Sequence, residues 1–433
     1  MAAPKIQTVS PSTNKIILER DETTLEQAKD VLSSSTKAYS SWRTTPFAER
    51  KTIVGCALDL IQQRKEQLGE ELTLQMGRPI AYGVKEVETM QKRATYLVSI
   101  AEDALQPLPG QPEAGFRRWI EKEPLGPTLI IFAWNFPYLV IEAGLPDNAL
   151  QEIHVGNPDA MREIVQIPDI KFVTFTGSTQ GGRALRESTA GRFLPVNLEL
   201  GGNDPAYVRP DADLRYVAEQ LVDGAVFNAG QSCCAIERVY VHADIYDALL
   251  AEIQKELATD KLGDPAEHST NVGPVISRAA QKNVNAHIQD ALSKGAINAT
   301  PANSSFSSPP ADGNYIVPTI LTNVNHDMIV MQEETFGPVL PIMKVSSDEE
   351  AVKLMNDSDY GLTASVWTKD LEAGEKLLKM LETGTVFINR CDYPNPDLAW
   401  TGWKNSGMGF TLGPRAFDPF VKPKSYHIRE KQA

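Results

Sequence analysis

The sequence predicts an α/β protein built on parallel sheets. Two observations predict this class: short apolar runs end at glycine or polar residues, and amphipathic stretches follow them, as in successive strand-helix units. A third, the length of 433 residues, exceeds what one ordinary hydrophobic core supports, so two or three domains are expected.

The first hundred residues show helical periodicity. Leu25, Ala28 and Leu32 recur at three- to four-residue spacing, and Thr23 with Glu26 is predicted to form a capping box. Two further helical faces are predicted to belong to the core, one beginning near Pro46 and one after the break at residues 77–79: Ile53, Ala57 and Leu60, then Val84, Val87 and Ala94.

From residue 115 onward, strand-forming residues become frequent. Residues 115–122 are predicted to form an arm outside the core, because a Pro/Gly-rich break separates them from the next strand. Strands are predicted at 129–132, 172–175, 196–200 and 238–241, with a helix at 213–227. A second α/β unit extends to about residue 404, and residues 301–313 are predicted to be a Ser/Pro-rich surface loop without core-forming content.

Composition narrows the function classes. A formal net charge of −14 argues against a nucleic-acid partner, because phosphate backbones are bound mainly by clustered Lys and Arg. Four cysteines are too few for a disulfide framework, and the apolar runs are too short for a membrane span. We therefore expect a cytoplasmic protein with a small-molecule substrate, no membrane or nucleic-acid partner, and no metal.

Two residues could carry acid-base or nucleophilic chemistry. Cys233 follows a Gly-Gln-Ser turn at a predicted helix-to-strand junction, where nearby backbone N–H groups favour a thiolate, although a buried structural cysteine is the alternative. Glu199 interrupts an apolar run just before two glycines. If buried, this carboxyl would have a raised pKa suited to a general base; the alternative is a solvent-facing residue at a strand end.

Two further segments could bind a ligand at the carboxyl ends of strands. Residues 175–183 contain Gly177, Ser178 and Gly182 where a strand meets a helix, a context that lets backbone N–H groups contact a phosphate. An ordinary strand-helix turn is the alternative. Asn135, which follows Trp134, could donate its amide to a developing oxyanion, or could simply form a turn.

Taken together, these segments resemble the aldehyde dehydrogenase superfamily over nearly the whole chain. Residues 198–205 (LELGGNDP) are similar to its glutamate signature and residues 226–237 to its cysteine signature, with 34 positions (233 − 199) between the two key residues. Residues 333–339 (EETFGPV) are similar to its ribose-binding segment, and residues 360–364, Asn389 and residues 400–407 to later segments.

The resemblance implies site roles. Cys233 would attack the aldehyde, its backbone N–H and the Asn135 amide would hold the oxyanion, and Glu199 would activate water to hydrolyse the thioester. NAD or NADP would be the cofactor, with the following residues near it: Gly177, Ser178 and Gly182 at the phosphates, and Glu334, Phe336 and Trp134 near the nicotinamide.

The resemblance also implies an architecture. It comprises a Rossmann-like cofactor domain (1–111 and 128–201), an α/β catalytic domain (202–404), and a small β oligomerisation arm and tail (112–127 and 415–433). A homodimer or homotetramer is expected, with residues 115–122 and 424–430 pairing across subunits.

The chain departs from the family between residues 138–140 and 143–146. The family holds roughly 30 more residues here, comparable to a strand with its flanking helix segments, including a Lys-Pro motif that contacts the adenosine ribose. Asn203 and Ala133 are milder departures, at positions where lysine and proline are common. Three functions therefore stay open: an active dehydrogenase, a dehydrogenase-like protein with impaired cofactor binding, and a cofactor-independent cysteine esterase.

Overall fold

The N-terminal region combines a β-hairpin with four helices. The structure is a computed structural model that describes residues 5–135, 148–303, 305–306 and 310–430. The hairpin pairs β1 (Lys5–Val9) with β2 (Ile16–Asp21), and the helices are α1 (Leu25–Trp42), α2 (Phe47–Gln63), α3 (Lys65–Met76) and α4 (Ile80–Ala104). The hairpin was not predicted, because its strands are short and largely exposed and so lack a clear apolar alternation.

Two local predictions for these helices were wrong. The capping box of α1 is formed by Thr24 with Gln27, one residue beyond the predicted pair, because Thr24 is the residue with extended backbone at the helix start. Leu60 does not belong to the core: it is 59% exposed and lines a cavity of about 900 Å³ that separates α2 and α3 from the hairpin. Ala57 and Val87 are buried as predicted.

A four-stranded sheet forms the first α/β unit. Its parallel strands are β5 (Thr128–Ile131), β6 (Phe172–Thr176) and β7 (Val196–Glu199), and helices α5 (Pro158–Ile164) and α6 (Thr179–Thr189) accompany them. A later strand, β17 (Gly407–Met408), pairs antiparallel with β7. The order is β17-β7-β6-β5, so within the described residues β5 is an edge strand.

A seven-stranded sheet forms the second unit and contains most of the buried core. Its order is β10-β11-β12-β9-β8-β14-β15, parallel except for β10. The strands are β8 (Asp204–Val208), β9 (Ile236–His242), β10 (Ile297–Asn298), β11 (Thr319–Thr322), β12 (Val339–Val345), β14 (Thr363–Trp367) and β15 (Thr385–Ile388). The helices are α7 (Leu214–Val226), α8 (Tyr246–Leu257), α9 (Arg278–Ser293), α10 (Asp348–Asn356) and α11 (Leu371–Leu378). A small ribbon pairs β13 (Tyr360–Gly361) with β16 (Trp403–Lys404).

The predicted arm and tail form a three-stranded sheet in the order β18-β4-β3. Its strands are β3 (Leu108–Pro109), β4 (Phe116–Pro124) and β18 (Val421–Arg429). β4 and β18 pair along their full length within one chain, and Trp119 stacks on Tyr426 at 4.6 Å between ring centroids. The expected pairing of these segments across subunits was therefore wrong, because each already satisfies the other's backbone groups.

The Ser/Pro-rich loop also differs from expectation. Phe306 is only 9% exposed and packs into the large core, so the loop does contribute to it. The expected family gap between residues 140 and 143 lies outside the described residues. Among the residues that are described, no helix is long and apolar enough to cross a membrane.

Candidate active site

Cys233 follows an unusual backbone turn at the end of α7. The turn Phe227–Gly230 contains three successive left-handed residues, Asn228 (φ 53°), Ala229 (φ 56°) and Gly230 (φ 71°). For residues with a side chain this conformation is costly and persists only where surrounding contacts enforce it. Cys233 itself is half-buried, whereas Cys234 is buried.

Glu199 is the last residue of β7 and is buried. Burial raises the pKa of its carboxyl to about 8, and a hydrogen bond from the Thr411 hydroxyl to Oε1 (3.3 Å) opposes that rise. The other oxygen, Oε2, has no hydrogen-bond partner within the described part of the chain. The solvent-facing alternative is therefore wrong for this residue.

Two glycines after Glu199 bring the other candidate residues close to it. A Cβ atom on Gly202 would lie 2.5 Å from the carbonyl oxygen of Cys233, and one on Gly201 would lie 2.2 Å from Oε2 of Glu334. Any larger residue would clash with backbone or with a buried carboxylate. The Gly201-Gly202 pair thus lets three segments that are distant in sequence meet at the end of β7.

Glu334, Phe336 and Trp134 lie together on one side of this junction. The Gly202 N–H donates to Glu334 Oε1 (3.1 Å), and burial raises the pKa of the Glu334 carboxyl. Trp134 meets the Phe336 ring edge-on, with 5.9 Å between centroids, and Trp134 is 40% exposed. These side chains could contact a planar, polar ligand.

The residue that holds this segment, Glu237, ends the cysteine signature but was assigned no role from the sequence. Glu237 is buried in β9, and its carboxylate accepts hydrogen bonds from the N–H groups of Thr335 (2.9 Å) and Phe336 (2.7 Å). It also accepts from Asn203 Nδ2 (3.0 Å), so the buried side chain of Asn203 has a defined partner. Phe336 has a left-handed backbone (φ 53°), which these bonds stabilise.

Asn135 is buried beside the cysteine turn. Its side-chain amide donates to the carbonyl oxygen of Gln231 (3.2 Å), two residues before Cys233. An amide nitrogen carries two hydrogens, so this bond leaves one for another acceptor. The structure therefore brings Asn135 and the cysteine segment together, although they are 98 positions apart (233 − 135).

The glycine-rich turn has the predicted strand-turn-helix form. Ser178 caps α6, and its hydroxyl accepts from the Gly181 N–H (3.1 Å). Thr179 Oγ1, in the first turn, is buried without a hydrogen-bond partner among the described residues. A helix N-terminus with such an orphaned hydroxyl suits an anionic group. Gly182 is required by packing, because a Cβ there would lie 2.6 Å from Leu200.

Two charged residues near the cysteines were also missed by sequence reasoning. Asp392 accepts hydrogen bonds from Ser232 Oγ (3.0 Å) and Cys234 Sγ (2.7 Å), and burial raises its pKa to about 6. Arg93, on α4, donates to the carbonyl oxygen of Pro394 (3.1 Å) and lies within electrostatic range of both cysteines. Neither residue stands in a recognisable motif, so only the fold reveals them.

The chain matches a known protein family. The model described as "Aldehyde dehydrogenase family" matches residues 1–142 and 138–426. The chain belongs to the aldehyde dehydrogenase family. The family gives the reaction class that the sequence predicted: this aldehyde dehydrogenase oxidises an aldehyde to a carboxylic acid with NAD or NADP as the oxidant.

Individual relatives are similar over almost the full length. The chain is 30% identical to succinate-semialdehyde dehydrogenase [NADP(+)] 2 of Schizosaccharomyces pombe, covering 97% of this chain and 92% of that protein. It is 27% identical to 3,6-anhydro-alpha-L-galactose dehydrogenase of Streptomyces coelicolor, with the same coverage. The crystal structure of an NAD-dependent aldehyde dehydrogenase from Sinorhizobium meliloti superposes with a TM-score of 0.93 at 28% identity, covering 100% of this chain and 93% of that one. The predicted α/β fold class is thereby confirmed.

The same comparisons bear on the unusual segment of this aldehyde dehydrogenase. The family match consists of two parts that meet at residues 138–142, where the sequence departs from the family. The Streptomyces alignment extends over 455 positions, whereas the chain has only 433 residues. That alignment therefore contains positions for which this chain has no residue.

Within the described residues, no group of His, Cys, Asp and Glu side chains could hold a metal ion.

Proposed function

We propose that Cys233 is the nucleophile of this aldehyde dehydrogenase. Its sulfur attacks the aldehyde carbon, and the Cys233 N–H and the remaining N–H of the Asn135 amide donate to the oxyanion of the thiohemiacetal. The observation that carries this proposal is the contact of Gly202 with the Cys233 carbonyl, because it brings the nucleophile to the strand that ends in Glu199. The Asn135–Gln231 hydrogen bond supports the placement of the oxyanion donor.

Glu199 is the general base for the second half of the reaction. After the thioester forms, its carboxylate takes a proton from water, the hydroxide adds to the thioester carbon, and the carboxylic acid leaves as the Cys233 sulfur regains its electron pair. A buried carboxyl with a pKa near 8 is a suitable base at moderately alkaline pH. Its Oε2 atom, which has no hydrogen-bond partner among the described residues, would accept the proton from water.

The cofactor unit consists of residues 1–111 and 128–201, and the catalytic unit of residues 202–404. Gly177 and Ser178 would hold the phosphates at the start of α6, with Gly182 allowing the helix to pack closely. Glu334, Phe336 and Trp134 would contact the nicotinamide riboside. NAD or NADP, when bound, accepts the hydride from the thiohemiacetal carbon. The start of α6, with its unpartnered Thr179 hydroxyl among the described residues, suits the cofactor's phosphates, and Glu334 suits its nicotinamide ribose. The resemblance offers no lysine for the adenosine ribose.

The structure favours an aldehyde that carries an anionic group. Arg93 is half-buried, and within the described residues it makes no salt bridge. Its anchor, the Pro394 carbonyl, belongs to the same segment as Asp392, which bonds to the residues on both sides of Cys233. Two more cations lie beside Tyr393 in this segment. Lys92 Nζ donates to the Tyr393 hydroxyl (3.0 Å), and the guanidinium carbon of Arg390 lies 3.7 Å from the centre of the Tyr393 ring. The relative from Schizosaccharomyces pombe is named for succinate semialdehyde, an aldehyde with a carboxylate.

The functional protein is proposed to be a cytoplasmic homodimer or homotetramer. Because β4 and β18 already pair within one chain, the assembly does not depend on their pairing across subunits. Within the described residues β18 is still an edge strand of the sheet β18-β4-β3, and another subunit could pair with that edge. Light scattering at micromolar concentration tests the assembly, and a monomer would contradict it.

One set of assays separates the proposed function from its two alternatives. The expected result is reduction of NAD or NADP that depends on aldehyde and is abolished by Cys233→Ala. Hydrolysis of p-nitrophenyl acetate through Cys233 with no aldehyde oxidation at any cofactor concentration would instead identify an esterase. Aldehyde oxidation that appears only at millimolar cofactor would identify a dehydrogenase with impaired cofactor binding.

A further inference from the structure

Arg78 is a fully buried arginine between helices α3 and α4. It follows Gly77, whose left-handed backbone ends α3, and precedes Pro79, which begins α4. Only 1% of the residue is exposed, and its guanidinium forms an ion pair with the buried carboxylate of Glu86. A buried charge needs such a partner, so the ion pair explains how Arg78 is tolerated but not what its other donors do.

The other donors of Arg78 reach two segments of the active site. Nη2 donates to the backbone carbonyl of Asn135 (2.8 Å), and Nε donates to Oδ1 of Asn228 (3.3 Å). The side-chain amides of Asn135 and Asn228 both donate to the carbonyl oxygen of Gln231, at 3.2 Å and 3.1 Å. Arg78, the two asparagines and Gln231 therefore form a closed ring of hydrogen bonds.

This ring holds a strained part of the backbone. Asn228 and Ala229 have left-handed conformations just before the nucleophile segment, and for residues with a side chain this conformation is costly and persists only where surrounding contacts enforce it. Arg78 fixes one end of the Asn228 side chain and Gln231 fixes the other. The neighbouring Gly230 is confined as well, since a Cβ there would lie 2.2 Å from the carbonyl oxygen of Gly337.

We propose that Arg78 is a positioning residue for the oxyanion site. It touches neither substrate nor cofactor; it fixes the distance between the Asn135 amide and the Cys233 N–H by bonding to both segments that carry them. This inference rests on the proposed roles of Asn135 and Cys233. It predicts that loss of Arg78 impairs steps in which an oxyanion develops and spares steps in which none develops.

Two reactions of Cys233 make that distinction without any cofactor. Acylation by p-nitrophenyl acetate passes through an oxyanion, whereas alkylation by iodoacetamide displaces iodide and forms none. Arg78→Lys keeps a charge opposite Glu86 but replaces the planar fork with a single ammonium group that does not reproduce both bonds. We expect the acylation rate constant to fall on the order of tenfold or more, while the alkylation rate constant changes less than about twofold.

A double-mutant cycle tests whether the effect runs through Asn135. In an Asn135→Ala background, Arg78→Lys should lower acylation no further. Asn228→Gly, which keeps the left-handed backbone and removes the other bond to Arg78, should reproduce the selective loss even if Arg78→Lys does not fold. A parallel fall in acylation and alkylation would show a purely structural role and overturn the proposal. Unchanged acylation in Asn135→Ala alone would refute the proposed oxyanion role of Asn135 and, with it, this inference.

Discussion

The Thr411 hydroxyl donates to Glu199 Oε1 across 3.3 Å, although the two residues are 212 positions apart. Thr411 lies in a bridge with Trp400, and Trp400 packs with Cys234 in the small apolar cluster beside the nucleophile. A single hydroxyl therefore links the candidate base to the wall of the cysteine site. Its bond stabilises the charged form of a carboxyl that burial otherwise keeps protonated.

The first prediction concerns the pH dependence of thioester hydrolysis. The active form of Glu199 is the carboxylate, and its folded pKa of about 8 lies above the ordinary value of 4.5, so deacylation should increase as pH rises through about 8. Thr411→Val removes a bond to the charged form and should shift that midpoint upward by about one unit. Thr411→Ser, which keeps a hydroxyl, is the matched control. The same midpoint in the wild type and both variants would show that Thr411 does not affect the pKa of Glu199.

The same carboxyl affects stability with the opposite sign. Between pH 4.5 and about 8 the folded chain holds a proton on Glu199 that the unfolded chain has lost, so its contribution to folding stability decreases as pH rises through this window. Glu199→Gln should therefore lose less stability than the wild-type protein between pH 6 and pH 9, measured by urea unfolding. Equal losses in the two proteins would contradict the raised pKa.

Glu199→Gln should also separate the two chemical steps. Acylation needs the nucleophile and the oxyanion donors, whereas deacylation needs a base to activate water. We expect a single burst of NADH or NADPH, about one equivalent per active site, followed by turnover at least a hundredfold slower than wild type. Rapid-mixing absorbance measures both phases. Steady-state turnover equal to that of the wild type would remove Glu199 from the mechanism.

The reactive thiol can be located directly. Cys233→Ala should abolish both aldehyde oxidation and ester hydrolysis, whereas Cys234→Ala should keep most activity, because Cys234 is buried and its hydrogen bond with Cys233, together with burial and nearby charges, raises its pKa. Cys56 is exposed and would react as an ordinary surface thiol, so labelling with limited iodoacetamide is best done in a Cys56→Ser background. Mass spectrometry that finds Cys391 alkylated before Cys233 would contradict the assignment.

The role of Arg93 can be tested with two alkylating reagents of similar shape. Iodoacetate is anionic and iodoacetamide is neutral, so the ratio of their rates at Cys233 reports the local electrostatic potential. Arg93→Gln should lower the iodoacetate rate relative to iodoacetamide by several-fold, in line with loss of one nearby charge. Arg215→Gln, which removes an exposed arginine on α7, is the charge-matched control. A ratio that does not change in Arg93→Gln would remove the basis for an anionic substrate.

The segment after residue 140 gives the last prediction. β5 is an edge strand within the described residues. The resemblance to the family implies that a lysine for the adenosine ribose is missing from this segment. Loss of one charge-assisted hydrogen bond costs on the order of 1.5–3 kcal/mol, which weakens cofactor binding roughly ten- to a hundredfold. We expect weak NAD and NADP binding by calorimetry and low solubility, and we expect insertion of a family-like segment between residues 140 and 143 to restore both. Micromolar binding by the unaltered chain would show that the shorter segment is tolerated.

The sequence alone determined the local units of this protein. Strand, turn and helix in residues 172–189 could be predicted because apolar runs, a capping serine and glycines act over a few residues. Cys233 and Glu199 could be nominated because each stands within a short motif. The start of α2 and both ends of α7 followed for the same reason, since their start signals are local. The end of α2 and the separate helix α3 were not predicted.

The tertiary structure decided everything that depends on contacts between distant segments. The bond between Glu199 and Thr411 and the bonds of Arg78 to Asn135 and Asn228 join residues 57 to 212 positions apart, and no local pattern encodes which side chains will meet. The pairing of β4 with β18 in one chain shows the same limit, because both strands read as unpaired edges in the sequence and only the fold supplies each with its partner. Backbone and buried polar groups must find partners, but which partner is fixed by packing of the whole chain.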